Sequence, residues 1–469
     1  MREVLLYLGI YSQLMVPATA SQDGGSLLHP FTNLVVHHRN GPHVIARGDG
    51  VWIYDEDGNG YIEAAAGLFC ASLGFNEERL AEAAYRQMRT LPFMHLFTSR
   101  SHSPAIELSE RLLKLAPVPM SKVFFANSGS EAADTVVKMV WYYNNALGRS
   151  EKKKIIGRRD GYHGTTVAAA SLTGIARSHR KFDLPIANVI HTSRPHYYHG
   201  ARPGESEEAY ASRLAEELEQ LIVDEGPDTV AAVIAEPVMG SCGVLLPPSG
   251  YFEKIQAVIA RYDLLFAADE VICGFGRTGN MWGSQTYGLR PDFLTTAKQL
   301  SSGYAPISAV MVNEKVYRTL LEGSEEIGMF AHGFTYSGHP VSAAVALECL
   351  NIYEERNIVE HVRRVGPRLQ DGLRTRFADH PIVGEVRGVG LLAAVELIAD
   401  KAARKPFPSE LGVGQYCAGR AMARGLVLRA LGDSMAFSPP LIIEEPEIDL
   451  VLDRFGEALD ETADWLARR

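Results

Sequence analysis

From about residue 120 the chain alternates short apolar runs with stretches whose apolar residues recur every three or four positions. The run "KVFFA" (122–126) leads into a segment where Ala133, Val136, Val137 and Val140 stand at i, i+3, i+4 and i+7, one face of a helix. The runs "KIIG" (154–157), "TVAAVIA" (229–235), "LLFAA" (264–268) and "ISAVMV" (307–312) read as further strands. Near-continuous apolar strands separated by helical patterns predict a parallel α/β sheet with crossover helices. In such sheets ligands lie beyond the carboxyl ends of the strands, so chemistry is sought in the residues that follow each run.

Upstream, "GVWIYDEDGNGYIEA" (50–64) reads as two short strands around an Asp-Gly-Asn-Gly turn, a hairpin outside the main sheet. After about residue 340 a helical stretch through "AAVALECLNIYEE" is followed by mixed short runs and a final amphipathic helix from about 446. The expected organisation is an N-terminal extension (1–27), an N-terminal segment carrying the hairpin (28–75), a large α/β domain (76–340) and a C-terminal α+β domain (341–469).

With 469 residues, 46% apolar and 22% charged, the chain can bury a large core. A net charge of −10, and one dense basic run at 152–154 followed by an apolar pair, give no electrostatic footprint for nucleic acid. Cys70, Cys242, Cys273, Cys349 and Cys417 form no C-x-x-C pair, which suits free thiols and a cytoplasmic protein. The start "MREVLLYLGIYSQLMVPATAS" loosely imitates a secretory signal, but Gln13 interrupts its apolar stretch and Glu3 offsets Arg2. The preferred reading is a segment that packs on the body or on a partner subunit. No run approaches the ~18 apolar residues of a spanning helix.

At the strand ends, "ANSGSEAAD" places Ser128, Gly129 and Ser130 before a helix, where N–H groups and the positive helix end could meet a phosphate. A plain helix cap, with Glu131 at capping-box spacing, explains the same residues, and no Gly-Lys-Ser/Thr of a nucleotide loop is present. "RRDGYHGTT" sets Tyr162 and His163 among glycines, where an aromatic could stack on a flat ligand or close a loop. Glu236 ends another strand. Asp269 and Glu270 end a near-continuous apolar run, and such a carboxylate needs a partner: either Arg277 nearby or a cationic ligand nitrogen. Lys298, in "TTAKQLSSGY", has no charged neighbour between Asp292 and Glu314. Flanked by Thr295, Thr296, Ser301 and Ser302, it reads as a partly desolvated amine with a lowered pKa. A phosphate cradle, a stacking aromatic, a carboxylate for a ring nitrogen and a lysine for an aldehyde together meet the requirements of pyridoxal 5′-phosphate.

These residues stand in "NSGSEAAD", "DGYHGTT", "AEPV", "ADEVICGFGRTG", "AKQLSSGY", "HGFTYSGHP" and "LRALGDSMAFSPPL". In that order the motifs resemble the class III pyridoxal-phosphate aminotransferases, in particular the ω-transaminases that use pyruvate as acceptor, from about residue 28 onward. The resemblance implies a fold-type I homodimer with a large, mostly parallel-sheet domain. It makes Lys298 the lysine that bonds the cofactor aldehyde and Asp269 the partner of the ring nitrogen. Tyr162 and Val271 become the two walls of the ring, Ser128 to Ser130 the phosphate loop, and His163 and Glu236 further cofactor neighbours. Thr335 corresponds to a threonine reaching the neighbouring subunit's phosphate, and Arg429 to a mobile arginine that pairs with a substrate carboxylate. Phe69 stands where the best-known ω-transaminases carry tryptophan, and it implies a roomier pocket. Gln299 replaces a common glycine. The expected activity is amino transfer from a primary amine or ω-amino acid to a keto acid, with aminomutase, decarboxylase or phospho-lyase chemistry, or a non-catalytic role, as alternatives on this fold. His191, His196 and His199 in "HTSRPHYYHG" read as a solvated loop without a carboxylate to complete a metal site, as do His37 and His38.

Overall fold

The alternation in 45–63 builds three antiparallel strands, β1 (Ile45–Asp49), β2 (Trp52–Asp55) and β3 (Gly60–Glu63). Asp55 fixes the intervening turn: its carboxylate accepts from the Asn59 amide at 2.8 Å and the Tyr61 hydroxyl at 2.8 Å. The computed structural model describes residues 26–469, and the reading of residues 1–20 falls outside them.

Seven strands form the central sheet: β4 (Lys122–Ala126), β5 (Lys154–Arg158), β6 (Val189–Thr192), β7 (Val230–Ala235), β8 (Leu265–Asp269), β9 (Phe293–Thr296) and β10 (Ser308–Val312). Their order is β4-β10-β9-β8-β7-β5-β6. The five strands from β9 to β6 run parallel. β10 is antiparallel to both β9 and β4, so the sheet is mostly parallel, as expected, with β10 as the strand that breaks the pattern read from its apolar run. Only residues 297–307 separate β9 from β10, too few for the dozen or more residues of a crossover, so the chain turns back on itself. That reversal places Lys298 in the connecting turn. β6 and β9 are additional to the strands predicted from apolar runs, because half of "VIHT" and half of "FLTT" is polar.

Every residue of β7, β8, β9 and β10 is buried, as expected for strands covered on both faces. The helix Gly129–Ala146 packs Val136, Val137 and Val140 on one face. The helices Glu207–Glu225 and Tyr251–Arg261 pack Leu214, Leu218, Phe252 and Ile255 on the other.

The C-terminal part contributes β11 (Val383–Val389), β12 (Leu392–Leu397), β13 (Leu426–Val427), β14 (Arg429–Leu431) and β15 (Ser434–Phe437), and ends in the helix Glu445–Ala467. β13 pairs in parallel with β3, so the N-terminal hairpin and the C-terminal part share one sheet. The order β11-β12-β15-β14 makes a second, antiparallel sheet. His37 and His38 lie in a short helix, Leu34–Asn40, capped by the Asn33 side chain, and not in a loop. Among the described residues no helix is long and apolar enough to cross a membrane.

Candidate active site

A cavity of about 160 Å³ opens beyond the carboxyl ends of the parallel strands. Gly129, Ser130, Tyr162, His163, Glu236, Asp269, Val271 and Lys298 all line it, so eight of the residues singled out in the sequence converge there. Gly164, Ile272 and Ala297 complete the lining and had no individual signal.

Asp269 is the last residue of β8 and is 5% exposed. Its Oδ2 lies 2.7 Å from His163 Nδ1, and its Oδ1 accepts from the Val271 amide at 3.1 Å and the Thr295 hydroxyl at 3.2 Å. Three neighbours thus hold the carboxylate, and none is Arg277. That arginine is fully buried and donates to the carbonyls of Leu391 and Pro439. Glu270 points away from the cavity and accepts from the Gly283 amide at 2.9 Å and the Ser284 amide at 2.5 Å. Burial pushes the Glu270 carboxyl up to about 7.

Lys298 opens the short turn Lys298–Ser301 with φ at +42°, a left-handed conformation that costs a non-glycine residue about 1–3 kcal/mol and recurs at functional sites. Burial holds its amine below the ordinary lysine range, partly opposed by the negative charge of Asp269. Of the four flanking hydroxyls, expected to surround the amine, three are engaged elsewhere, and Thr296 Oγ1 is buried without a hydrogen-bond partner. Thr295 donates to Asp269, Ser301 to the Ala305 carbonyl, and Ser302 accepts from the Leu73 amide. Gln299 is structural, donating to the Ile272 carbonyl at 2.7 Å.

Glu236 follows β7 and is 3% exposed; its two oxygens accept from the Tyr162 amide at 3.1 Å and the Gly240 amide at 3.3 Å. Burial raises its pKa. Ser128 is the N-cap of the helix Gly129–Ala146, its Oγ accepting from the Glu131 amide at 3.2 Å. Glu131 reaches past the N-cap to the Asn127 amide, so the capping box is only half formed. Ser130 Oγ accepts from the Thr165 amide at 3.0 Å and ties the helix start to the loop carrying Tyr162.

Two glycines test whether a cofactor fits. A Cβ at Gly129 would meet both γ-carbons of Val271 at 3.3 Å, and one at Gly164, where φ is +143°, would lie 2.5 Å from Ser130 Oγ. The segments around these glycines therefore approach too closely for side chains, and both glycines line the cavity at the positive end of an 18-residue helix, where a phosphate would be favoured. Tyr162 and Val271 stand at the sides, and Asp269 and Lys298 offer an acid and an amine. The donor set fits pyridoxal 5′-phosphate.

Four predicted residues are not in this lining: Ser128, whose hydroxyl caps the helix, and Arg429, Phe69 and Thr335. Arg429, on β14, has its guanidinium 5.6 Å above the Phe69 ring and forms no ion pair among the described residues. Phe69 itself is 1% exposed, with φ at +60°, and packs in a cluster with Val238, Ile272 and Leu392. Thr335 is exposed and does not line the chain's own cavity. The histidine cluster also differs from expectation. His196 is 5% exposed, and Glu385 and Glu396, remote in sequence, lie beside it and His199.

The family description "Aminotransferase class-III" matches residues 35–459. The chain belongs to the class III aminotransferases. It is 51% identical over 440 residues to gamma aminobutyrate transaminase 3, chloroplastic, of Solanum lycopersicum, covering 94% of this chain and 84% of the relative. It is 50% identical over 422 residues to the vanillin aminotransferase of Capsicum frutescens, covering 90% and 92%. Among solved structures, the ω-transaminase of Pseudomonas jessenii in complex with PMP superposes with a TM-score of 0.95 at 55% identity, covering 96% of this chain and 99% of that one. This aminotransferase has the fold-type I architecture, uses pyridoxal 5′-phosphate and transfers amino groups.

Proposed function

We propose that this aminotransferase takes its amino group from a primary amine or an ω-amino acid and delivers it to a small keto acid, pyruvate first among them, in two alternating half-reactions. The observation that carries the reading is the convergence of Lys298 with the Asp269–His163 pair on one cavity at a helix N-terminus. When bound, pyridoxal 5′-phosphate supplies an electron sink for the substrate carbon and a carrier for the amino group.

The chain's residues divide that work. Lys298 Nζ would hold the cofactor through its aldehyde and, as a free amine, would move the proton of the substrate carbon. Its lowered pKa favours the free base that this step needs. Asp269, oriented by His163 and Thr295, would keep the ring nitrogen protonated. Tyr162 and Val271 would hold the ring, and Gly129 and Ser130 the phosphate.

Arg429 supports the choice of substrates. A guanidinium without an ion-pair partner among the described residues can grip a carboxylate in bidentate fashion. The relatives' names include a carboxylate substrate, γ-aminobutyrate, and an aromatic aldehyde, vanillin, a span that a movable arginine over Phe69 accommodates. Thr335 sits among exposed apolar side chains, with Tyr336, Phe93 and Met329 nearby in sequence or contact, which supports a homodimer completing each site. The five cysteines, none paired with another, support a reducing compartment, and we propose the cytoplasm.

The test adds single amines to the holoenzyme without acceptor, then one keto acid. Bleaching of the cofactor by an ω-amino acid or arylalkyl amine, with recovery on addition of pyruvate, is expected. Ammonia release without any acceptor, or recovery with 2-oxoglutarate alone, contradicts the proposed substrates.

A further inference from the structure

We infer that His196, His199 and Glu396 form a binding site for one divalent transition-metal ion of the zinc class, joining the loop after β6 to the antiparallel sheet β11–β12. The three donor atoms lie within 4.8 Å of one another. His199 Nε2 is 2.5 Å from Glu396 Oε1, and His196 Nε2 is 3.8 Å from Glu396 Oε2. A tetrahedral zinc with ligand distances near 2.0–2.2 Å separates its donors by about 3.4 Å, so small side-chain rotations bring these atoms to bonding distance. Two imidazoles and a carboxylate also match the ligand preference of this class of ion.

The surroundings add independent support. Glu385 and Glu396 stand directly opposite each other on antiparallel strands, an arrangement that is destabilising for like charges. Arg387 Nη1 contacts both carboxylates at 2.5 Å, but one guanidinium leaves the pair with a net negative charge. Arg387 is itself fixed, donating to the Gly243 carbonyl at 2.6 Å and to Ser434 Oγ at 3.0 Å, and so orients Glu396 as an outer partner of the ion. Glu385 Oε2, 3.1 Å from His196 Nε2, is within reach as a fourth ligand. Alternatively a water enters from the cavity of about 380 Å³ that both histidines line. His196 is the N-cap of the short helix Tyr197–Gly200 and His199 lies within it, three positions apart, with ring centroids 4.9 Å apart. The group lies outside the cavity lined by Lys298.

The test uses the holoenzyme after chelator treatment and dialysis. Zn²⁺ is titrated calorimetrically, metal retained after gel filtration is counted per chain, and anomalous scattering at the zinc edge locates the ion in a crystal. One zinc per chain at His196, His199 and Glu396 is expected, with about tenfold or greater loss of affinity in His199→Ala and in Glu396→Gln. No retained zinc in the wild type, an anomalous peak elsewhere, or unchanged affinity in both variants overturns the proposal. The wild-type measurements stand even if a variant fails to fold.

Discussion

His163 Nδ1 lies 2.7 Å from Asp269 Oδ2, and both side chains are buried at the end of the central sheet. The pairing gives Asp269 a neighbour that fixes its orientation while leaving the cavity-facing side free for a ring nitrogen. His163→Gln is therefore expected to lower kcat by about 10- to 100-fold, the effect of removing one buried hydrogen bond from an anchored charge. The cofactor-binding stoichiometry of the purified variant, read by absorbance, separates a loss of orientation from a loss of cofactor. An unchanged kcat would contradict the positioning role.

Arg429 makes no ion pair among the described residues and hangs over Phe69. Arg429→Ala should raise KM for carboxylate-bearing donors and acceptors by about 10- to 100-fold, since hydrogen bonds to charged groups contribute roughly 1.5–3 kcal/mol. Uncharged amines should bleach the cofactor as they do in the wild type. Equal losses for both substrate classes would contradict the carboxylate role.

Gly164 has room for no Cβ beside Ser130. Gly164→Ala should weaken cofactor retention, measured as the fraction of pyridoxal phosphate remaining after dialysis, by about tenfold or more, because a 2.5 Å contact must be relieved at the helix start. Retention equal to wild type would show that this wall does not shape the cradle.

Glu270 is fully buried, and its carboxyl is pushed up to about 7. A group whose folded pKa is raised adds stability that is complete below its unfolded value, near 4.5, and is lost as pH rises through about 7. Thermal unfolding should therefore show a stability loss between pH 5 and pH 8 that Glu270→Gln lacks, at most about 3–4 kcal/mol at roughly 1.4 kcal/mol per pKa unit. A parallel pH dependence in both proteins would contradict the assignment.

Much of the cavity wall is legible in the chain because the residues that carry chemistry lie at or shortly after the ends of apolar runs, and strand order brings those ends together. Ser130, Tyr162, Glu236 and Asp269 are of this kind. What local pattern does not reveal depends on contacts between distant segments. Arg277 is seven residues from Glu270 yet is drawn into carbonyls at 391 and 439, and Asp269 pairs with His163 across 106 positions. The reversal of β10 follows from a connection too short for a crossover, a length visible only once β9 is recognised despite its two threonines. The histidines at 196 and 199 read as solvated because their carboxylates lie nearly two hundred positions away.

The most direct test of Lys298 as the proton carrier is a single-turnover measurement on Lys298→Ala reconstituted with cofactor and given an amine donor. The rate of amino transfer is expected to fall by about 10²–10⁴-fold, the usual contribution of a positioned acid–base group, with cofactor still bound in the cavity. A variant that transfers amino groups at the wild-type rate would contradict the role assigned to Lys298.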